Sequence, residues 1–229
     1  NSNNLPNNQK EILKYILNNR EIDLIQIIEI PQKKKNILTF KLINKIILKY
    51  LIYFEKILLR TKKYNQELNN INVNFDKTNI KKIYPIRKKY SDEFKKSDLE
   101  IIKDSNPDLI FNFTDRLLKG EILKISKLGV LGFHLSDTDF QRNGLGGFYE
   151  IIEQQEYSGI TIQKYNNLVD GGLIAHKRNF KTLKFFTLNH DNLLNETISV
   201  FKQTMQLAIK NKIELKKPAE YKKKLYEHP

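Results

Sequence analysis

Apolar and polar residues change period several times along the chain, and each change predicts an element. In "NNQKEILKYILNN", Ile12, Leu13, Ile16 and Leu17 fall at helical spacing, which predicts an amphipathic helix. "IDLIQIIEIP" is almost continuously apolar and stops at Pro31, so Ile22 to Ile30 reads as a buried strand. Residues 37–63 predict one long helix, with Lys41, Lys45 and Lys49 recurring every fourth position as a basic stripe opposite a wide apolar face. Such a face packs on the domain or on a neighbouring subunit; a basic helix lying on a membrane surface is the alternative. Lys41, Lys45, Lys49, Glu55 and Lys56 exclude a transmembrane span there. Within the polar segment that follows, "INVNF" (71–75) reads as a short strand.

The pattern becomes regular from Ser97 onward. "SDLE", Ser97 to Glu100, has the spacing of a capping box and predicts a short helix ending before Pro107. "PDLIFNF" predicts a buried strand, "DRLLKGEILKIS" a helix containing Gly120, "GVLGFHLS" a second strand and "GLGGFYEIIEQQ" a glycine-led helix. "SGITIQKY" alternates as a strand does, "GGLIAHKRNF" gives a further strand after a Gly-Gly turn, and a helix from about Asn189 to Lys210 closes the series. Strands alternating with helices predict an α/β fold, a mainly parallel sheet flanked by helices. That sheet is expected to include segments near 22–30, 108–113 and 129–134. A single domain over 1–229 is expected, with its motif-bearing core at about 100–180.

Composition changes this picture in three places. The 229 residues are 40% hydrophobic, enough for a sizeable core, and contain no cysteine, which excludes disulfides, thiolate metal sites and cysteine nucleophiles. The single methionine is Met205, so the chain reads as a piece of a longer protein, with no signal peptide at its start and a cytoplasmic location expected. A net charge of +14 ordinarily points to an anionic partner. Here the lysines are scattered, are not interleaved with aromatics as in a nucleic-acid module, and follow the general excess of Lys, Asn and Ile. No specific nucleic-acid partner is therefore expected.

In open α/β sheets, ligands collect outside the carboxyl ends of the strands. His134, after "GVLGF", and Asp170, in "NLVDGGLI", fall at such ends with one helix and one strand between them. A His–Asp pair there can polarise a carbonyl or move a proton. A structural histidine and a turn aspartate before Gly-Gly are the plainer alternatives, and these residues alone leave both open. His176 alternates along a strand, His190 stands at a helix start where capping is expected, and His228 is in the tail. HxH and HExxH spacings are missing, so a metal site has no sequence support, and neither a P-loop nor a G-x-S-x-G serine motif is present.

The order "NPDLIFNF", then "ILKISKLGVLGFHLSD", then "RNGLGGFYEIIEQQEYSGITIQKYNNLVDGGLI" resembles the formyltransferase family over about residues 100–180. Within it, the stretch looks most like the formyltransferase-like domain of bacterial polysaccharide-cluster proteins. The resemblance implies a Rossmann-like formyltransferase fold, 10-formyltetrahydrofolate as formyl donor, and a nucleotide-linked amino sugar or similar amine as acceptor, in surface-polysaccharide biosynthesis. It implies His134 and Asp170 as the catalytic pair, and Asn112, Ser136, Gly171 and Gly172 as cofactor-binding residues. The family's catalytic asparagine does not carry over: Gly132 stands in its place, and "DTD", Asp137 to Asp139, replaces a proline-containing loop. The implied reading is N-formyl transfer through an altered site. The alternative is a binding or scaffold module that keeps the fold and serves a second domain beyond residue 229. Asparagine restored at position 132 would raise a weak activity, provided the surrounding chain leaves room for it.

Overall fold

The first expected helix forms as α1 (Asn7–Asn18), with Ile12 and Ile16 buried on its inner face. The structure is a computed structural model that describes residues 5–31, 42–59, 79–140, 145–167 and 172–219. The strand expected over 22–30 is shorter, β1 (Gln26–Glu29), and it pairs in parallel with β2 (Asn79–Lys82), not with the segment near 108–113. Helix α2 (Leu42–Leu58) occupies the middle of the span expected over 37–63, whose ends lie outside the described residues together with "INVNF".

Strands β3 (Ile86–Arg87) and β4 (Ser91–Glu93) precede helix α3 (Lys96–Asp104). The capping box does not form. Ser97 lies inside the first turn of α3, and Lys95 holds the cap position without a side-chain bond. After β5 (Ile110–Asn112), the helix expected around Gly120 is replaced by β6 (Leu117–Lys119) and a 3-10 turn from Gly120 to Lys124. Gly120 has φ +81°, a left-handed conformation that a right-handed helix cannot contain, so it divides the segment in two. Strand β7 (Val130–His134), helix α4 (Tyr149–Ile152), strands β8 (Tyr157–Lys164) and β9 (Leu173–Lys181), and helix α5 (Phe186–Ile209) complete the order.

The described strands form a four-stranded sheet β5-β7-β8-β9, a three-stranded sheet β3-β4-β6 and the β1-β2 pair. The α/β class holds, but the pairing is mixed. β1/β2, β4/β6 and β5/β7 are parallel, whereas β3/β4, β7/β8 and β8/β9 are antiparallel. Helix α4 is only four residues long, about 6 Å, too short to return the chain to the start of β7. β8 therefore enters the sheet from the end where β7 finishes.

The two faces of the four-stranded sheet are covered differently. On one, Leu131, Ile160 and Ile162 pack with Leu193 and Val200 of α5, and Phe201 meets Ile12 and Ile16 of α1. On the other, Val130 joins a cluster with Ile83, Phe94, Ile102, Leu118 and Ile122, which covers only the beginning of β7. Helix α2 is attached through Glu55, whose carboxylate accepts the backbone N–H groups of Phe186 (3.2 Å) and Thr187 (2.8 Å) at the start of α5. Among the described residues, attachment by this edge leaves Tyr50, Leu51, Tyr53, Phe54, Ile57 and Leu58 exposed. The α2 apolar face expected to pack on the domain or on a neighbouring subunit is therefore not covered by the described part of the domain. Lys49 is exposed, as expected. Among the described residues, no helix is long and apolar enough to cross a membrane.

Candidate functional site

Strand alternation places Val130, Gly132 and His134 on one face of the four-stranded sheet. Asn112 of β5 pairs with Gly132 from one side and Gln163 of β8 from the other, while Thr161 pairs with His134. Asn112, Gly132 and Gln163 thus form a row across three strands. His134 stands one step beyond the row, half-buried at the carboxyl end of β7, the position where sheets of this class gather ligands.

Asn112 is buried and held from all sides. Its Oδ1 accepts from Thr114 N (3.1 Å) and Thr114 Oγ1 (2.9 Å), and its Nδ2 donates to Arg116 O (2.8 Å) and Tyr165 Oη (3.3 Å). These bonds use both amide protons and both lone pairs, so Asn112 organises the edge from within the protein. Arg116 is fixed in turn by Asp92 (2.6 Å) and by the carbonyls of Lys88 and Ser91. Ser136 is also turned inward: its hydroxyl donates to Glu150 Oε1 (2.7 Å) and its carbonyl accepts from Thr161 Oγ1 (2.9 Å).

The loop after His134 is pinned by charge. Lys177 donates to Asp137 Oδ1 (2.8 Å) and Asp139 Oδ2 (2.6 Å), and Asn179 reaches Asp137 Oδ2 (3.3 Å). Burial works against the Lys177 ammonium, but the two carboxylates outweigh it and hold its pKa above the ordinary lysine value. His190 is not a cap. It lies inside α5, and its Nδ1 is 2.9 Å from the carbonyl of Gly146, steadying the turn before α4. His176 sits 3.3 Å from Gln203 Oε1 of α5, in register with Ile162 and through it with Phe133, so it is on the sheet face opposite His134. A β-carbon at Gly172 would lie 2.7 Å from the carbonyl oxygen of Lys164, so this glycine lets the β8–β9 hairpin close. Asp170 and Gly171 lie outside the described residues, as do Arg142 and Asn143. The described part of the site therefore joins Asn112, Gly132 and His134, with Ser136 just behind them.

Two residues at this edge escaped the sequence reading. The first is Tyr165, which follows β8 and donates its backbone N–H to Val130 O (2.8 Å). Its ring packs on the Val130 cluster, and its phenol end lies over Gly132. A β-carbon at position 132 would overlap Tyr165 Oη and fall 2.6 Å from Cζ, so asparagine cannot enter there unless Tyr165 leaves. The available signal was a strand-end aromatic that antiparallel pairing of "GVLGFH" with "TIQKY" brings next to a glycine.

The second is Glu150, fully buried, with Oε2 lacking a hydrogen-bond partner. Burial pushes its carboxyl above the usual glutamate range, and the Ser136 hydroxyl offsets this only in part. A raised folded-state pKa means that the native protein holds the proton more tightly than the unfolded chain. The stability contributed is fully present below the ordinary value of 4.5 and is lost as pH rises through the folded-state value. Glu150→Gln is therefore expected to gain stability relative to wild type as pH rises from near 5 to near 8, by on the order of 1 kcal/mol. Urea unfolding of both proteins at the two pH values measures it, and a constant difference between them would contradict the assignment.

No family model matches the chain. A stretch of 82 residues is 34% identical to methionyl-tRNA formyltransferase of Enterococcus faecalis, covering 35% of this chain and 26% of that protein. The sugar 3N-formyl transferase WlaRD, solved in the presence of dTDP and 5-N-formyl-THF, superposes on 96% of this chain and 65% of its own, with TM-score 0.50 and 16% identity. The chain has the fold of the formyltransferases. Methionyl-tRNA formyltransferase from Clostridium thermocellum matches 90% of the chain and 73% of its own length at 17% identity, with TM-score 0.46. The chain spans about a quarter of the curated formyltransferase it matches and just under two thirds of WlaRD. In this formyltransferase fold, the Asn112–Gly132–His134 edge is the carboxyl end of its parallel strand pair.

Proposed function

We propose that this chain is the formyl-transfer part of an N-formyltransferase, passing a formyl group from 10-formyltetrahydrofolate to the amine of a nucleotide-linked sugar. The observation that supports it most is His134 at the carboxyl end of β7, beside a row of hydrogen-bonding side chains in a formyltransferase fold. An acyl oxygen that gains negative charge needs donors aimed at it. This edge offers the His134 imidazole, the Tyr165 phenol and the buried N–H of Gln163 Nε2, which has no partner. These residues fit an acyl group. When bound, the folate supplies the formyl group in activated form. His134 then holds the formyl oxygen or carries the proton that the amine loses, with Asp170 orienting its ring and Gly171 and Gly172 shaping the neighbouring turn. Ser136 acts through Glu150, and Asn112 through its hold on the edge, not by direct contact with folate. Work on a nucleotide-linked amino sugar places the whole protein in surface-polysaccharide biosynthesis in the cytoplasm.

A second reading has one observation in its favour: Gly132 contributes no side-chain donor of its own. In that reading the fold is a binding module for a further domain. Incubation with 10-formyltetrahydrofolate and a panel of nucleotide-linked amino sugars separates the two. Amine-dependent release of tetrahydrofolate is expected. Absence of deformylation with every amine, from folded protein, would favour the binding module.

A further inference from the structure

Resting on the formyl-transfer reading, we infer that the phenol of Tyr165 is a catalytic hydrogen-bond donor, standing over Gly132 and working beside His134. Three features lead to it. First, the phenol is in place because position 132 is glycine, since any side chain there would expel it. Second, Gly132 and His134 point to the same face two residues apart, about 7 Å along the strand. A phenol over one and an imidazole on the other thus stand on one face of the sheet, at neighbouring steps of β7. Third, Asn112 Nδ2 donates to Tyr165 Oη, which fixes the oxygen and strengthens its O–H as a donor. The ring itself is anchored by packing on the cluster of Ile83, Phe94, Leu118 and Val130. The hydroxyl is thus presented by a rigid group, as oxyanion stabilisation requires.

The step it serves is balanced without any further reagent. The amine lone pair forms the new C–N bond to the formyl carbon, and the carbonyl π pair moves onto the formyl oxygen. The Tyr165 O–H donates to that oxygen as its charge grows. Collapse restores C=O and breaks the bond to the folate nitrogen, which departs with the proton lost by the amine. The phenol keeps its own proton throughout.

Tyr165→Phe is the test, because it keeps the ring over Gly132 and removes only the hydroxyl. Asn112 Nδ2 retains Arg116 O, so the melting temperature is expected to change little. With wild type active, kcat is expected to fall roughly a hundredfold with KM for both substrates nearly unchanged. A merely structural tyrosine would instead lower the melting temperature and move KM. Binding gives a second reading of the same contact, using 5-formyltetrahydrofolate against tetrahydrofolate. The preference for the formylated compound is expected to shrink severalfold in Tyr165→Phe. Equal kcat in the two proteins, or an unchanged formyl preference where wild type binds folate without turnover, overturns the role of Tyr165 alone. A wild-type protein that neither turns over nor binds the formyl donor overturns the formyl-transfer reading and this inference together.

Discussion

His134→Ala is expected to lower kcat for formyl transfer by about a thousandfold while leaving unfolding close to wild type. The backbone of β7 is held by its partners β5 and β8 whatever the side chain at its last residue. The imidazole is half-buried at the strand end and outside the three apolar clusters, so its loss opens no cavity in the core. What disappears is an imidazole able both to donate to an oxyanion and to exchange a proton, with no other histidine on this face of β7 among the described residues. Single-turnover release of tetrahydrofolate measures the effect, with urea unfolding as the control. Equal rates in the two folded proteins would remove β7 from the chemistry.

Phe201→Ala is expected to cost about 3–5 kcal/mol of stability, a large share of the roughly 5–15 kcal/mol that holds an ordinary domain folded. Phe201 is 1% exposed, and its ring centroid lies 4.9 Å from Phe111, 6.1 Å from Phe113 and 6.4 Å from both Phe133 and Tyr15. Four rings lose a neighbour at once. Two of them, Phe111 and Phe133, sit next in sequence to Asn112 and His134, on the opposite face of the same strands. A cavity under them loosens the strands that aim the site, so kcat is expected to fall even below the melting transition. Urea unfolding measures the first effect. Phe201→Leu, which refills most of the volume, is expected to recover the larger part of both. A loss below about 1 kcal/mol for Phe201→Ala would mean that the aromatic cluster can collapse around the gap.

The strands that build the site were legible because their pattern is local. "PDLIFNF", "GVLGFHLS" and "SGITIQKY" alternate or run apolar between turn residues, and each formed where expected. Their direction was not legible, since periodicity is the same for parallel and antiparallel neighbours, and with it went the approach of Tyr165 to Gly132. Leu118, Ile122 and Ile125 have helical spacing, yet the backbone at Gly120 breaks the segment between them. Helix α2 was predicted from an apolar face whose occupant the pattern cannot name. His134 was recognisable at a strand end, whereas Glu150 looked like one more charge on a helix. Its burial follows from the Ser136 hydroxyl 14 positions earlier, a tertiary contact with no local signature.

The packing of α1 against α5 also sets the order in which this protein can acquire its structure. Asn8 Nδ2 donates to Thr197 Oγ1 across 189 positions, and Gln9 Nε2 to Phe113 O across 104. As the chain leaves the ribosome, the first helix must wait for the last before either finds its partner. Until about residue 205 has emerged, Phe111, Phe133, Ile160 and Ile162 present an uncovered greasy surface. Ring closure over such separations is entropically costly and slow. A nascent chain in this state is a natural client for a chaperone and a poor candidate for truncation before Phe186.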